Sequence, residues 1–194
     1  MPRVFVFMRV AFKEWSVIVD ALGSGNQILI LRKGGISEGR GGFQVDHPEF
    51  LLFPTAFHQQ RESVLPEAQA RFDKLESIPA ETLRIESFCR VASWRRLDSL
   101  EMARSLQHQH VWKPEVIAER FDWGRNKAIF ALAVRTFRLP ARIELPMLPS
   151  YGGCKSWIEL DEDIDISNAK PVLSDSEFNR RLQQFESALG PAQP

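Results

Sequence analysis

The 194-residue chain is poor in the features that usually disclose a function at sight. Two cysteines, Cys89 and Cys154, are too few for a disulfide framework or a four-thiolate zinc site. No apolar run approaches the ~18–20 residues a membrane-spanning helix needs, so a helical membrane protein is excluded. There is no internal repeat and no low-complexity tract. No G-x-x-x-x-G-K-[ST] loop occurs, no G-x-G-x-x-G opens a helix, and no G-x-S-x-G elbow is present. Net charge is absent too, with 25 basic groups set against 25 acidic ones. What is present is an apolar content of 44%, close to the globular norm, which rules out a wholly disordered chain. The length suits one domain with an appendage.

The zero net charge conceals an asymmetry. Residues 1–157 hold 22 basic and 17 acidic groups, whereas residues 158–194 hold 3 and 8. A basic body of this kind favours a polyanion as partner, an attraction that salt weakens. The N-terminal stretch MPRVFVFMRVAFKEW is interrupted by Arg9 and lacks a small-residue cleavage site. It reads as a strand rather than a signal peptide, and a cytoplasmic protein with reduced thiols is expected.

Apolar side chains at Phe12, Trp15, Ile18, Val19 and Leu22 share one face of a helix, which predicts a helix over 11–22. Gly23, Gly25 and Asn26 end it in a turn. Short apolar runs predict strands over 27–32 and over 50–53, the second closed by Pro54. Thr55 is placed to cap a short helix through His58 and Gln59. A helix is predicted over 66–78 with Pro66 in its first turn. Alternation over 82–94 puts Leu83, Ile85, Ser87, Cys89, Val91 and Ser93 on one side of a strand. Helices over 98–107 and 114–121 follow, then a long strand over 127–139 ending at Pro140. Shorter strands are predicted over 143–145 and 156–160. Phe178, Leu182, Phe185 and Leu189 form the stripe of a last helix, about 175–189, stopped by Gly190. Strands outnumber the helix-linked units a parallel sheet requires. The expected fold is α+β: a small, strongly curved mixed sheet or barrel flanked by helices, with a C-terminal helix. The expected division is one domain over 1–160 and an acidic linker plus packed helix over 161–194.

Three stretches carry residue types suited to chemistry. In LRKGGISEGRGGF, residues 31–43, Arg32, Lys33 and Arg40 accompany five glycines whose exposed N–H groups suit phosphate. The competing reading is a plain hairpin or Ω-type loop. In LLFPTAFHQQ, residues 51–60, His58 and Gln59 suit a base edge or general-base work, or else simply cap a helix. In PSYGGCKSWIEL, residues 149–160, Tyr151 and Trp157 suit base stacking while Lys155 and Ser156 suit a phosphate. There Cys154 is a nucleophile, needing a base and an electropositive setting, or else the stretch is a glycine turn with Trp157 in the core and Cys154 as a small hydrophobe. His108 and His110 lack the further ligands a metal needs. Asp46, His47 and Glu49, with Glu86, fall short of a two-carboxylate nuclease centre. No metal and no cofactor is expected.

KEWSVIVDALGSGNQILILRKGGI, FLLFPTAFHQ and the RTFRL…YGGCKSWIEL ending resemble a bacterial family catalogued as domain of unknown function 1802, over about residues 11–160. That resemblance brings no activity and no catalytic residue. A more distant similarity is to PUA-like domains of the ASCH and EVE kinds, carried by the helix, glycine turn and strand through Gly25–Arg32 and by IESFCRVASW followed by IFALAVRTFRLPARIEL. The lysine of the ASCH pattern is Asn26 or Gln27 here, and the strand glutamate is apolar, so no ASCH amidohydrolase chemistry is carried over. The similarity implies a small barrel that binds RNA or modified bases. The resulting expectation is nucleic-acid binding, to RNA or DNA, through a basic aromatic-lined cleft formed by Arg32, Lys33, Arg40, His58, Gln59, Tyr151, Lys155, Ser156 and Trp157. Two alternatives remain open: an enzyme acting on a nucleotide or nucleic acid through His58 or Cys154, and a non-catalytic interaction domain whose acidic tail docks on a partner.

Overall fold

A computed structural model describes residues 5–33, 45–55, 61–75, 78–124 and 127–190. The described residues form seven strands and five α-helices in the order β1 (Phe7–Trp15), α1 (Ser16–Gly23), β2 (Leu29–Arg32), β3 (Glu49–Thr55), α2 (Pro66–Phe72), β4 (Thr82–Leu97), α3 (Leu100–Ser105), α4 (Pro114–Asp122), β5 (Ile129–Pro146), β6 (Trp157–Asp165), β7 (Lys170–Pro171) and α5 (Asp175–Leu189). One mixed sheet runs β2-β5-β4-β3-β1-β6, with β7 pairing on β5. Only β1 and β3 pair in parallel.

The α+β class stands, but the barrel does not. The sheet is an open path with β2 and β6 at its ends, and no backbone ladder joins them. It curls instead: Arg32 at the end of β2 donates through Nη2 to the Ser156 hydroxyl just before β6, at 2.7 Å. A side chain thus bridges the two outer strands at one end of the sheet.

Both sheet faces are buried. Phe12, Phe50, Leu52, Cys89 and the β2 residues Leu29–Leu31 face a core shared with α1, α4 and α5. Their strand neighbours Ala11, Leu51, Phe53 and Phe88 face a second core with Tyr151, Ile158 and Leu160. On β1, β3 and the middle of β4 this is the period-2 alternation of a sheet covered on both sides, whereas β2 lies wholly within the first core.

Several elements differ from the sequence reading for identifiable reasons. Ala11–Trp15 belong to β1 rather than to a helix, because they pair with Leu51–Thr55 on one side while Ala11 and Phe12 also pair with β6 on the other. The same apolar positions satisfy either period, and two strand partners decide between them. Helix α1 therefore begins at Ser16. Its end is fixed by Gly25 at φ +73°, where a Cβ would lie 2.7 Å from Leu173 Cδ2, so the turn is both left-handed and closely packed. Pro54 lies inside β3, beyond the point where β4 stops pairing with it, so no ladder bond is lost. Pro140 likewise lies inside β5, opposite an irregularity between Ile85 and Ser87 of β4. That irregularity fuses two predicted strands into one of 18 residues. It also shifts the phase of β4: Ile85 faces the second core and Cys89 the first, not one common side.

The C-terminal helix matches its expectation. Ser174 caps it by accepting the Glu177 N–H at 3.2 Å, and Phe178 and Phe185 enter the first core. Strand β6 continues through residue 165, across the expected 160/161 division. Among the described residues no helix is long and apolar enough to cross a membrane.

Candidate functional site

Two cationic regions lie apart in the molecule. The first is a cleft of about 1060 Å³ lined from both cores, by Val19, Phe72 and Leu75 that pack on the first and by Phe53, Met147 and Tyr151 of the second. The outer side of α1 (Val19, Asp20, Gly23) and the segment after α2 (Lys74, Leu75, Ile78–Ala80) form one wall. Phe53–Thr55 at the end of β3, the start of β4, and the Met147–Gly153 loop form the rest. Lys13, Lys74, Arg84, Arg138 and Arg142 line it, and Asp20 and Glu86 are the carboxylates among its described lining residues. Strand alternation explains Lys13: Phe12 and Glu14 point into the first face, so Lys13 points into the cleft.

The cleft cations are held in different ways. Arg142 pairs with Glu86 at 2.8 Å, and Arg84, 9% exposed, pairs with Glu144 at 3.0 Å. Lys13 and Arg138 instead donate to backbone carbonyls, Lys13 Nζ to Gly153 O at 3.1 Å and Arg138 Nη2 to Gly23 O. A carbonyl orients a cation without cancelling its charge. Burial lowers the Lys13 ammonium from its ordinary pKa, and neighbouring Lys155 adds to the effect, against an opposing attraction from Cys154.

The second region sits at the ends of β1 and β2 on the first-core face. Besides its bond to Ser156, Arg32 places Nη1 4.0 Å from Glu14 Oε2 and its guanidinium over the Phe12 ring at 5.1 Å. Glu14 is 3% exposed and accepts the Trp15 N–H at 2.8 Å. Arg120 of α4 lies over the Trp112 ring, 3.8 Å from its centroid, and 5.3 Å from that of Trp15.

The predicted site residues divide between these regions. Arg32, Ser156 and Trp157 share the strand-end region, where Trp157 packs edge-on against Phe12, Phe50 and His47. Lys33 turns toward α4, donating to Phe121 O at 2.8 Å, and burial lowers its pKa. Tyr151 lies on the opposite face, 3% exposed, with its hydroxyl accepting the Asp161 N–H and its ring edge-on to Phe53. It walls the cleft but presents no open face for stacking. Lys155 is exposed beside the cleft mouth, as is Cys154. Cys89 is fully buried, and burial pushes its thiol up to about 12, so it is no nucleophile. Arg40, His58 and Gln59 lie outside the described residues.

Sequence reasoning missed Lys13, Arg84, Arg138 and Arg142 in the cleft, and Glu14 and Arg120 at the strand ends. Reading Ala11–Trp15 as a strand would have set Lys13 and Glu14 on opposite faces. Nothing local marks the others, which acquire meaning only through long-range pairing.

Fold and sites together define an α+β domain with a curled mixed sheet and two separate cationic regions. The chain belongs to the DUF1802 family, a domain of unknown function whose model matches residues 11–184. The match takes in β6 and most of α5, beyond the stretch near residue 160 where the sequence resemblance ends. No curated protein and no solved structure matches the chain.

Proposed function

We propose that the protein binds nucleic acid, RNA or DNA, in the cleft between α1, the segment after α2 and the Met147–Gly153 loop. The observation that carries this reading is the orientation of Lys13 and Arg138 by carbonyl oxygens, which leaves two uncancelled positive charges inside a groove walled by apolar side chains. Phosphates meet the cations, and bases lie against the half-buried side chains of Val19, Phe72 and Leu75. The exposed Lys155 and the basic body of the chain add long-range attraction.

The test is binding of short RNA and DNA oligonucleotides at two salt concentrations. Affinity should fall steeply with salt, and Lys13→Gln or Lys74→Glu should each weaken it and lower the salt slope by about one phosphate contact. Undiminished binding by both variants, or no affinity at low salt, removes the reading.

A further inference from the structure

The strand-end region has an excess of positive charge that the cleft reading does not use. Glu14 faces Arg32 at 4.0 Å and its charge, like that of Arg32, reaches Arg120, yet it forms a hydrogen bond with neither among the described residues. One of its oxygens is taken by the Trp15 N–H, and the other stands 4.0 Å from Arg32, too far for a hydrogen bond. Two guanidinium groups thus share one loosely engaged carboxylate in a largely desolvated place, an arrangement that costs free energy unless a further anion completes it.

The posture of Arg120 indicates what such an anion would meet. Trp112 shields one flat face of its guanidinium, and Trp15 stands edge-on to Trp112 with centroids 4.8 Å apart. Its donors lie in the guanidinium plane, and they make no hydrogen bond or ion pair to any described residue. A guanidinium stacked on an indole with its in-plane N–H groups unused matches the oxygens of an oxyanion. Beside the same indole, His110 is 4% exposed and accepts the Trp112 N–H on Nδ1 at 3.2 Å. Its proton therefore sits on Nε2, which has no partner among the described residues. Burial and the charge of Arg120 lower its pKa to about 4, so it is a neutral donor at pH 7. Arg32, 26% exposed along its side chain, gives the region an approach from solvent.

We infer that Arg120 and Arg32 form a second site that takes one phosphate group, separate from the cleft, whose lining includes neither arginine. The phosphate is either inorganic phosphate or the phosphate of a nucleoside monophosphate, whose base would lie against the partly exposed ring of Trp15.

The experiment titrates the full chain with inorganic phosphate and, in a second arm, with a nucleoside 5′-monophosphate. Heat of binding and the emission of the tryptophans are followed, with Arg120→Gln, Arg32→Gln and Lys74→Glu as variants. Saturable binding is expected, with a change in tryptophan emission. Affinity should fall at least tenfold in Arg120→Gln and in Arg32→Gln and stay unchanged in Lys74→Glu. Tighter binding of the nucleotide than of phosphate identifies the nucleotide as source, and equal binding identifies free phosphate. Should Arg120→Gln fail to fold, the more exposed Arg32→Gln decides alone. No saturable binding, or binding that survives loss of either arginine, overturns the inference. Loss in Lys74→Glu alone assigns the phosphate to the cleft and overturns it as well.

Discussion

The two cationic regions hold arginine in contrasting ways. In the cleft, Arg142 and the buried Arg84 meet carboxylates that are themselves well exposed, and Lys13 and Arg138 meet carbonyls, around a groove open to solvent. At the strand ends, Arg32 and Arg120 are enclosed by Phe12, Trp15 and Trp112 and share a single buried glutamate. The difference teaches where each cation's free energy comes from. Cleft pairs act through a high-dielectric boundary and contribute little to folding, whereas the enclosed group is bound up with the core itself.

The largest test of that contrast is packing. Trp112, 1% exposed, should cost about 3–5 kcal/mol on change to alanine, while the half-buried cleft-wall residue Phe72 should cost roughly 1 kcal/mol. Denaturant midpoints measure both, and equal losses would erase the distinction. Next comes charge. Glu14→Gln strands two guanidinium groups and should lower stability by about 3 kcal/mol, whereas Glu86→Gln, which breaks a solvent-exposed pair, should cost under ~1 kcal/mol. The first loss should persist in high salt, and the second should vanish there.

Acid supplies a third probe, specific to the enclosed side. His110 is held well below its ordinary pKa of 6.5, near 4, so the unfolded chain binds its proton first as pH falls. The His110 contribution to stability should fall by about 3 kcal/mol between pH 6.5 and 4 and change no further below that window. Replacement by asparagine keeps an acceptor for the Trp112 N–H and should flatten this component in pH-dependent unfolding curves. The smallest effect is chemical. A thiol reagent should modify Cys154 in the native protein and reach Cys89 only after denaturation, as mass spectrometry of the labelled chain would register.

How far these regions could be foreseen depends on how local their determinants are. The last helix was legible because Ser174, the Phe178–Leu189 stripe and Gly190 all lie within one stretch of chain. The strand positions were mostly legible, but not their phase, since the irregularities after Ile85 and Val91 are set by the partner strand. Residues 11–15 fitted two periods, and only pairing with β3 and β6 resolves them. The bridge from Arg32 to Ser156 spans 124 positions in sequence, and no local pattern announces it. Tyr151 shows the opposite limit: its residue type suggested stacking, yet its hydroxyl serves the backbone of Asp161.

The pairing of β1 with β6 also bears on how the chain is made. Residues 7–12 emerge from the ribosome early, yet their antiparallel neighbours are residues 157–165. Until nearly the whole domain has been synthesised, that margin of β1 carries amides and carbonyls without their strand partners. Nascent chains arrested before residue 157 should therefore be the most prone to clump, and a chaperone that shields the first strand should act until synthesis passes that point.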